Sequence, residues 1–580
     1  MLSRSTFSEG VHHLALLHLF LLLQQTLPAL TGGAGVTAAT DTLWLNLTLL
    51  PLILCACAGR PGRLLMRGIA ALLYLLIVSE LRFLQETGAY FSATLAAHAL
   101  AHWTDAAQVV VPTAADNDLL ATLLLALIFW LMPVLMRRSR RSLALTVAII
   151  ALTSLMALWT QLSAGSQPMS LFRGFFMPTA HLTGGGRVSY DYRPPDHRAG
   201  LTPGPGAPDI LLVVLESTRA DKVPGFSRQT TGGTAHMPAL STLAATGVRF
   251  REAYTTASHT SKALVGLLCG YHPHPAMVIR SADPDTLPGP CLPRLLAGAG
   301  YRTLFLSSAT GRFEQRRQLA GNLGFDTIMT REDLDPRFQR VGYFGMDESA
   351  MVAPLTRWWR QTDTRPRLAV LLTSVTHHPY AVPGRPLPAD AEAGYMAGLT
   401  HTDAMLGEVL AALGHNLDRS LIVVTGDHGE GFGEHGRYQH DNTPYQEGVR
   451  IPLLLVDRRG GLPARSDDGL RQHIDVLPTL LRLAGLRADG RWPGLDLLDS
   501  QGHDEIITRC WHMDACLGLI RKNGDKWIQL PGEGLMARYQ LRSDPDERRN
   551  LAGLAPQADE AASQTLLLHR MALQQLWEPR

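Results

Sequence analysis

Five apolar runs near the N-terminus limit how this chain of 580 residues can fold. Each run is about as long as a helix that crosses a hydrocarbon layer of roughly 30 Å. The runs cover about residues 11–30, 42–58, 64–84, 118–136 and 142–162. The first run, Leu-rich after Arg4, also fits a signal peptide, but the four runs that follow favour a membrane anchor. The sequence therefore predicts a transmembrane domain of five helices over residues 1–162.

Basic residues between these runs predict an orientation. Arginines cluster between the second and third runs and again between the fourth and fifth, as Arg60, Arg63 and Arg67 and then Arg137, Arg138, Arg140 and Arg141. The loops at 31–41 and 85–117 contain neither Lys nor Arg. Since cytoplasmic loops carry the excess of basic residues, we expect the arginine clusters inside the cell. This predicts a multi-pass protein of the inner (cytoplasmic) membrane, with everything after Leu162 on the periplasmic or extracellular side.

The rest of the chain reads as a linker followed by a globular domain. Residues 163–207 are rich in Gly and Pro and predict a linker that could include short helices on the membrane surface. From Pro208 onward, short apolar strands such as Asp209–Leu215 alternate with helical patterns. This alternation predicts an α/β domain over 208–580, with a mostly parallel sheet sandwiched by helices. The net charge of +2 and the lack of a basic, aromatic stripe argue against nucleic acid as a partner.

The cysteines of the globular part allow two interpretations. Cys269, Cys291, Cys510 and Cys516 lie there, an even number. In an oxidising compartment the pairs close in sequence would be Cys269–Cys291 and Cys510–Cys516, although three connectivities are possible. Four buried free thiols are the alternative.

A candidate metal site follows two of the predicted strands. Leu421–Thr425 reads as a buried parallel strand, and the Gly-rich loop after it carries Asp427 and His428. Glu216 directly follows the strand Asp209–Leu215. Because the carboxyl ends of parallel strands meet at one edge of a sheet, these three side chains should converge there. Carboxylates and an imidazole suit one divalent metal, Zn or Mn, and the sequence does not distinguish the two.

A fourth component lies where a polar loop enters an apolar helix, within TTASHTSKALVGLLCG at 255–270. A hydroxyl at this junction would have backbone amides and the positive end of a helix dipole behind it. Such a position favours an alkoxide and attracts a phosphate.

Together these segments resemble the sulfatase branch of the alkaline phosphatase superfamily over about residues 208–555. Joined to five membrane spans, the chain resembles the lipoteichoic acid synthases and the lipid A phosphoethanolamine transferases. Eight segments match in the family's order. They are PDILLVVLEST, MPALSTLAATGVRFREAYTTASHTSK, LLTSVTHHPY, GLTHTDAMLGEVLAAL, VVTGDHGEGFGEHG, YQEGVRIPLLL, HIDVLPTLLRLAGL and YQLRSDPDERRNL.

The resemblance implies roles for the residues of the candidate site. Glu216, Asp427 and His428 match the protein ligands of a single metal. Thr260 matches the nucleophile, which is also a metal ligand. Ser258 is the alternative nucleophile, because Lys262 stands at the sulfatase spacing from it.

The segment around Thr260 also indicates whether the substrate is a phosphate ester or a sulfate ester. The frame from Ser258 to Lys262 fails the formylglycine signature of the sulfatases at two positions. Threonine cannot become formylglycine, so phosphoryl transfer is favoured over hydrolysis of a sulfate ester. For substrate binding, the resemblance implies His377, His440 and Lys262.

The function implied is the transfer of a phospho-alcohol head group, phosphoglycerol or phosphoethanolamine, from a membrane phospholipid to a cell-envelope glycan or glycolipid. The group would pass through a phosphothreonine. One alternative is a membrane-bound sulfatase or phosphodiesterase that hands the group to water, since SDPDERRNL is common in true sulfatases. A second alternative is a lipid-binding regulator without catalysis. Head group, acceptor and oligomeric state stay open.

Overall fold

The computed structural model describes residues 190–195, 206–227, 234–275, 279–441, 443–511, 516–529 and 536–578. The predicted transmembrane domain, residues 1–162, lies outside this set, as does most of the predicted linker. Among the residues that are described, no helix is both long and apolar enough to cross a membrane.

The strands alternate with helices, as the sequence predicted. In chain order the strands are β1 (Asp209–Leu215), β2 (Val248–Tyr254), β3 (Arg302–Ser307), β4 (Thr327–Met329), β5 (Arg340–Val341), β6 (Gly345–Met346), β7 (Arg367–Leu372), β8 (Ser420–Gly426), β9 (Gly431–Phe432), β10 (Tyr438–Gln439), β11 (Leu453–Asp457), β12 (Arg465–Gln472), β13 (Glu505–Arg509), β14 (Leu517–Arg521), β15 (Asp525–Gln529) and β16 (Met536–Gln540). The α-helices are α1 (Pro238–Ala244), α2 (Thr260–Cys269), α3 (Leu292–Gly298), α4 (Arg316–Leu323), α5 (Val352–Trp359), α6 (Ala391–Leu413), α7 (Gln446–Val449), α8 (Val476–Leu483) and α9 (Pro556–Leu576).

The main sheet has eight strands in the order β12-β2-β11-β8-β1-β7-β3-β4. Strands β8, β1, β7, β3 and β4 are parallel neighbours, whereas β11 is antiparallel to both β8 and β2. The prediction of a mostly parallel sheet in an α/β domain is therefore confirmed. In the register of β1 and β8, Leu215 lies opposite Gly426. The residues that follow these two strands consequently leave the sheet side by side.

Alternate residues of β1 enter separate cores on the two faces of the sheet. Ile210, Leu212 and Val214 belong to one cluster, together with apolar residues of α2 and α8. Leu211 and Val213 belong to the other, together with residues of α1 and α6. Burial of both faces explains why β1 is a continuous apolar run rather than an alternating one.

A second sheet follows in the C-terminal part of the domain. It is antiparallel, in the order β13-β14-β15-β16. Helix α9 packs Ala562 and Leu566 against Leu517, Leu519 and Trp527 of this sheet.

Both expected disulfides are present. Cys269–Cys291 joins the end of α2 to the residue that precedes α3, and Cys510–Cys516 joins the residue after β13 to the residue before β14. The interpretation as paired cysteines is confirmed, and the interpretation as four free thiols is wrong.

A buried histidine supports the end of β8. His473 is fully buried, and its Nε2 lies 3.0 Å from the carbonyl oxygen of Gly426. Burial lowers the pKa of His473 to about 4 from 6.5. The neutral imidazole is therefore the form that the folded core accepts.

Acid should destabilise the fold through His473. The unfolded chain binds this proton near pH 6.5 and the folded chain only near pH 4, so the stabilisation is complete above pH 6.5 and is lost as the pH falls. Between pH 7 and pH 5 this one group should lower the free energy of unfolding by about 2 kcal/mol. The substitution His473→Gln keeps a donor for Gly426 and cannot titrate. Urea unfolding of both proteins at both pH values should show the larger loss in the wild type, and equal losses would contradict the assignment.

Candidate metal-dependent active site

The ends of three neighbouring strands bring the predicted ligands together. Glu216 follows β1, and its amide donates to Oγ1 of Thr373, which follows β7. Asp427 and His428 follow β8. One ligand atom from each of Glu216, Asp427 and His428 lies within 4.8 Å of the other two, and all three side chains are buried. The register of β1 and β8 thus produces the cluster that the sequence predicted for this edge.

The donor atoms of this cluster suit a divalent cation. Oδ1 of Asp427 accepts from the amides of Ser217 and His428, both at 2.8 Å, whereas its buried Oδ2 has no hydrogen-bond partner among the described residues. Nδ1 of His428 lies 2.9 Å from the carbonyl oxygen of Gly429, which leaves Nε2 for a metal. That Nε2 is 3.4 Å from Oδ2 of Asp427 and 3.6 Å from Oε1 of Glu216.

Electrostatics lead to the same conclusion. Burial raises the pKa of both Glu216 and Asp427, and the charge of Asp427 raises that of Glu216 further. Burial also lowers the pKa of His428, so this ring does not supply a compensating charge. Two carboxylates without enough positive charge around them fit a bound cation. The nitrogen and oxygen donors are those that Zn and Mn accept.

The structure places Thr260 beside this triad. Thr260 is the first residue of α2, and His259 before it has extended backbone angles. The Thr260 hydroxyl donates to Oε1 of Glu216 at 2.9 Å and lies 3.2 Å from Nε2 of His428. The hydroxyl therefore shares its two neighbours with the candidate metal, at the positive end of a ten-residue helix.

The alternative nucleophile has other surroundings. Ser258 is fully buried, and its amide donates to the carbonyl of Arg509. No described hydrogen bond joins its hydroxyl to the triad. Lys262 is 1% exposed, and its ammonium donates to the carbonyl of His274 at 3.1 Å.

Two predicted substrate-binding histidines line the site. The ring of His440 lies 4.2 Å from that of His428 and 5.2 Å from that of His377, measured between centroids. Nδ1 of His440 is 3.3 Å from both carboxylate oxygens of Glu430. Burial opposes a charge on His440, but the carboxylates of Glu430 and Asp441 outweigh it and raise its pKa to about 9.

His377 is held by the other wall of the site. Its Nδ1 lies 2.9 Å from the carbonyl oxygen of His378 and 3.2 Å from the hydroxyl of Tyr343. The rings of Phe313 and Phe344 pack against it edge-on. Because its Nδ1 is occupied, Nε2 is the atom that His377 can offer to a ligand.

Sequence reasoning missed one cation of the site. Arg316, the first residue of α4, is 2% exposed, and its Nη2 lies 3.3 Å from Glu314. Its buried Nε and Nη1 have no hydrogen-bond partner in the described part of the chain. Burial and the charge of Asp427 raise the pKa of Glu216. The charge of Arg316 is the next largest effect, and it lowers the pKa of Glu216. These donors suit an anionic oxygen. In GRFEQRRQ nothing distinguishes Arg316 from its neighbours Arg312 and Arg317.

Comparison with known proteins supports the predicted fold. Residues 208–486 match the family model described as Sulfatase. The chain is similar to arylsulfatase K of Bos taurus, at 29% identity over 192 residues, and to that of Mus musculus, at 35% over 193 residues. Each alignment covers 30% of this chain, and the chain spans about a third (35% and 34%) of the length of these curated relatives.

Solved structures of two proteins share the fold. One is a protein of the alkaline phosphatase superfamily from Vibrio parahaemolyticus, with a TM-score of 0.53 and 20% identity over 68% of this chain and 94% of the other. The second is the lipoteichoic acid synthase LtaP from Listeria monocytogenes, with a TM-score of 0.51 and 17% identity over 65% of this chain and 95% of the other. Residues 208–486 thus resemble the Sulfatase family, and the described domain has the fold of these two structures.

Proposed function

We propose that this protein transfers a phospho-alcohol head group from a membrane phospholipid to a cell-envelope glycan or glycolipid, through a covalent intermediate on Thr260. The observation that carries the proposal is the position of the Thr260 hydroxyl, 2.9 Å from Glu216 and 3.2 Å from His428. A threonine in this place cannot be converted to formylglycine. Attack by its own hydroxyl on a phosphodiester is the chemistry that remains.

The residues of the site divide the first step among them. When bound by Glu216, Asp427 and His428, a divalent cation would acidify an adjacent hydroxyl and neutralise charge on a phosphoryl group. The Thr260 hydroxyl, which donates to Oε1 of Glu216 in this structure, would lose its proton to solvent as Oγ1 attacks phosphorus. The bond from Oγ1 to phosphorus forms, the bond from phosphorus to the glycerol oxygen breaks, and diacylglycerol leaves with a proton from solvent.

Three further side chains near the triad could bind the phosphate. Arg316 offers two buried donors, and His377 and His440, whose ring centroids are 5.2 Å apart, offer ring nitrogens. Hydrogen bonds to the non-bridging oxygens would stabilise the charge that develops during attack. In the second step an acceptor hydroxyl attacks phosphorus and loses its proton to solvent. The bond from phosphorus to the acceptor oxygen forms, the bond from phosphorus to Oγ1 breaks, and Thr260 regains a proton from solvent.

Hydrolysis is the second candidate, and the sequence relatives favour it over head-group transfer. The curated relatives are arylsulfatases, and the chain contains SDPDERRNL at 543–551. Water in place of the acceptor would make the protein a phosphodiesterase that shares the first step. A sulfatase would instead need attack on the sulfur of a sulfate ester. A lipid-binding regulator is less consistent with a complete set of Glu216, Thr260, Asp427 and His428.

The predicted membrane location supports a lipid donor. With five spans and an external catalytic domain, a phospholipid would reach the site by diffusion within the bilayer. This arrangement, with the domains 1–162, 163–207 and 208–580, remains part of the proposal.

Mass spectrometry of the peptide that contains Thr260 tests the covalent step. The full chain is incubated with Mn²⁺ or Zn²⁺ and vesicles of phosphatidylethanolamine and phosphatidylglycerol, and the peptide should gain the mass of phosphoethanolamine or phosphoglycerol. Thr260→Ser should still be modified, and Thr260→Ala should not. An equal adduct in Thr260→Ala, or turnover at the wild-type rate by that variant, would falsify the assignment. Diacylglycerol released with free head group, rather than with a modified acceptor, would identify the hydrolase.

Loss of one ligand should weaken metal binding. Asp427→Asn removes a negative charge and alters the buried Oδ2 that has no other described partner. Mutation of a residue that only hydrogen-bonds to a metal ligand lowers metal affinity about 10–100-fold. Loss of a ligand itself should therefore lower it at least 100-fold. The matched control is Asp403→Asn, because Asp403 is 1% exposed and accepts from the amides of Ala239 and Leu240 instead. Chelator competition measures both, and equal affinities would place the metal elsewhere.

A further inference from the structure

The stretch SDPDERRNL contains one buried acid that the proposed reaction does not use. Glu547 is 1% exposed, whereas its neighbours Arg548 and Arg549 are exposed. Its φ of +53° is unfavourable for a residue other than glycine. A residue held in this conformation needs support from its surroundings. The contacts of Glu547 show where that support comes from.

One carboxylate oxygen of Glu547 faces the C-terminal sheet. Lys526 of β15 forms an ion pair with Oε1 at 2.7 Å, and both side chains are fully buried. A buried pair of charges gives little net stability compared with apolar residues of the same volume. Its value lies in fixing the direction in which the second oxygen points.

The rest of Glu547 contacts the segment from β9 to α7 at two positions. Oε2 accepts from the amide of Gln446, the first residue of α7, at 2.6 Å. The backbone carbonyl oxygen lies 3.1 Å from Nε2 of His435. These two residues flank His440 on either side in the sequence.

From these positions the contacts continue to the candidate metal ligands. Nδ1 of His435 is 2.8 Å from Oε1 of Glu447, beside Gln446 on α7. The carbonyls of Glu447 and Gly448 accept from the amides of Glu430 and Gly429, both at 2.9 Å. Gly429 directly follows the ligand His428, and Glu430 holds Nδ1 of His440.

We propose that Glu547 is a positioning residue, through which the C-terminal sheet sets the geometry of His428 and His440. The carboxylate fixes α7, α7 fixes the backbone at 429–430, and that backbone fixes the ligand His428 and the carboxylate that holds His440. The proposal rests on the proposed function only for the role of His440, because the effect on metal binding needs no substrate.

Two double variants separate this role from general stability. Lys526→Met/Glu547→Gln and Lys526→Met/Glu547→Leu both remove the buried charges and have side chains of similar size. Only the first retains an acceptor for the amide of Gln446. Asp546→Asn is the surface control, since Asp546 pairs with the exposed Arg548.

The measurements use the full-length protein in detergent. The Leu double variant should bind Mn²⁺ or Zn²⁺ roughly tenfold more weakly than the Gln double variant, by chelator competition. Its kcat should fall by a similar factor with KM little changed. Without metal, the amides of Gly429 and Glu430 should exchange hydrogen faster. The Gln double variant and Asp546→Asn should stay within about threefold of the wild type.

Equal metal affinity and equal amide exchange in the two double variants would overturn the proposal. If the Leu variant does not fold, Glu547→Asp replaces it, since it keeps the charge pair and shortens the reach by one carbon. Glu547→Asp should show the same weaker metal binding, lower kcat and faster amide exchange. Wild-type values of metal affinity and amide exchange in this variant would also overturn the proposal. If the wild type itself neither modifies Thr260 nor turns over lipid, the proposed function fails, while metal affinity and exchange still decide the role of Glu547.

Discussion

The parallel pairing of β1 with β8 is the constraint on which the rest of the site depends. Because Leu215 and Gly426 lie opposite each other, Glu216 leaves the sheet next to Asp427 and His428. Burying two carboxylates so close together is unfavourable unless positive charge neutralises them. A divalent cation satisfies this requirement and also explains the buried Oδ2 of Asp427. The pairing of β1 with β8 thus places two buried carboxylates where a bound cation would neutralise their charge.

Elements outside the main pair of strands complete the site. The first turn of α2 supplies the hydroxyl of Thr260, and the first turn of α4 supplies Arg316. The C-terminal sheet contributes no ligand, but the contacts of Glu547 reach the backbone beside His428. Glu216, Asp427 and His428 therefore follow strands of the main sheet, whereas α2, α4 and the C-terminal sheet contribute the other groups and contacts of the site.

The sequence predicted those parts in which one local pattern decides the structure. Strands β1, β7 and β8 are buried on both faces and are therefore apolar runs, and the ligands at their ends could be expected to meet. Strands β2 and β12 lack the continuous apolar run on which the prediction of strands relied. In β2, Arg249 and Arg251 alternate with apolar residues, and the first half of the edge strand β12, RSDD, is exposed or half-exposed. Burial of Arg316 and Glu547 depends on contacts with distant segments, which no local pattern encodes.

Anomalous diffraction from crystals of the protein grown with Mn²⁺ tests the central claim most directly. The account predicts one strong anomalous peak at the ends of β1 and β8, with oxygens of Glu216 and Asp427, Nε2 of His428 and Oγ1 of Thr260 each at about 2.0–2.3 Å from it. A peak that these side chains do not surround, or one from which the Thr260 hydroxyl points away, would contradict the account.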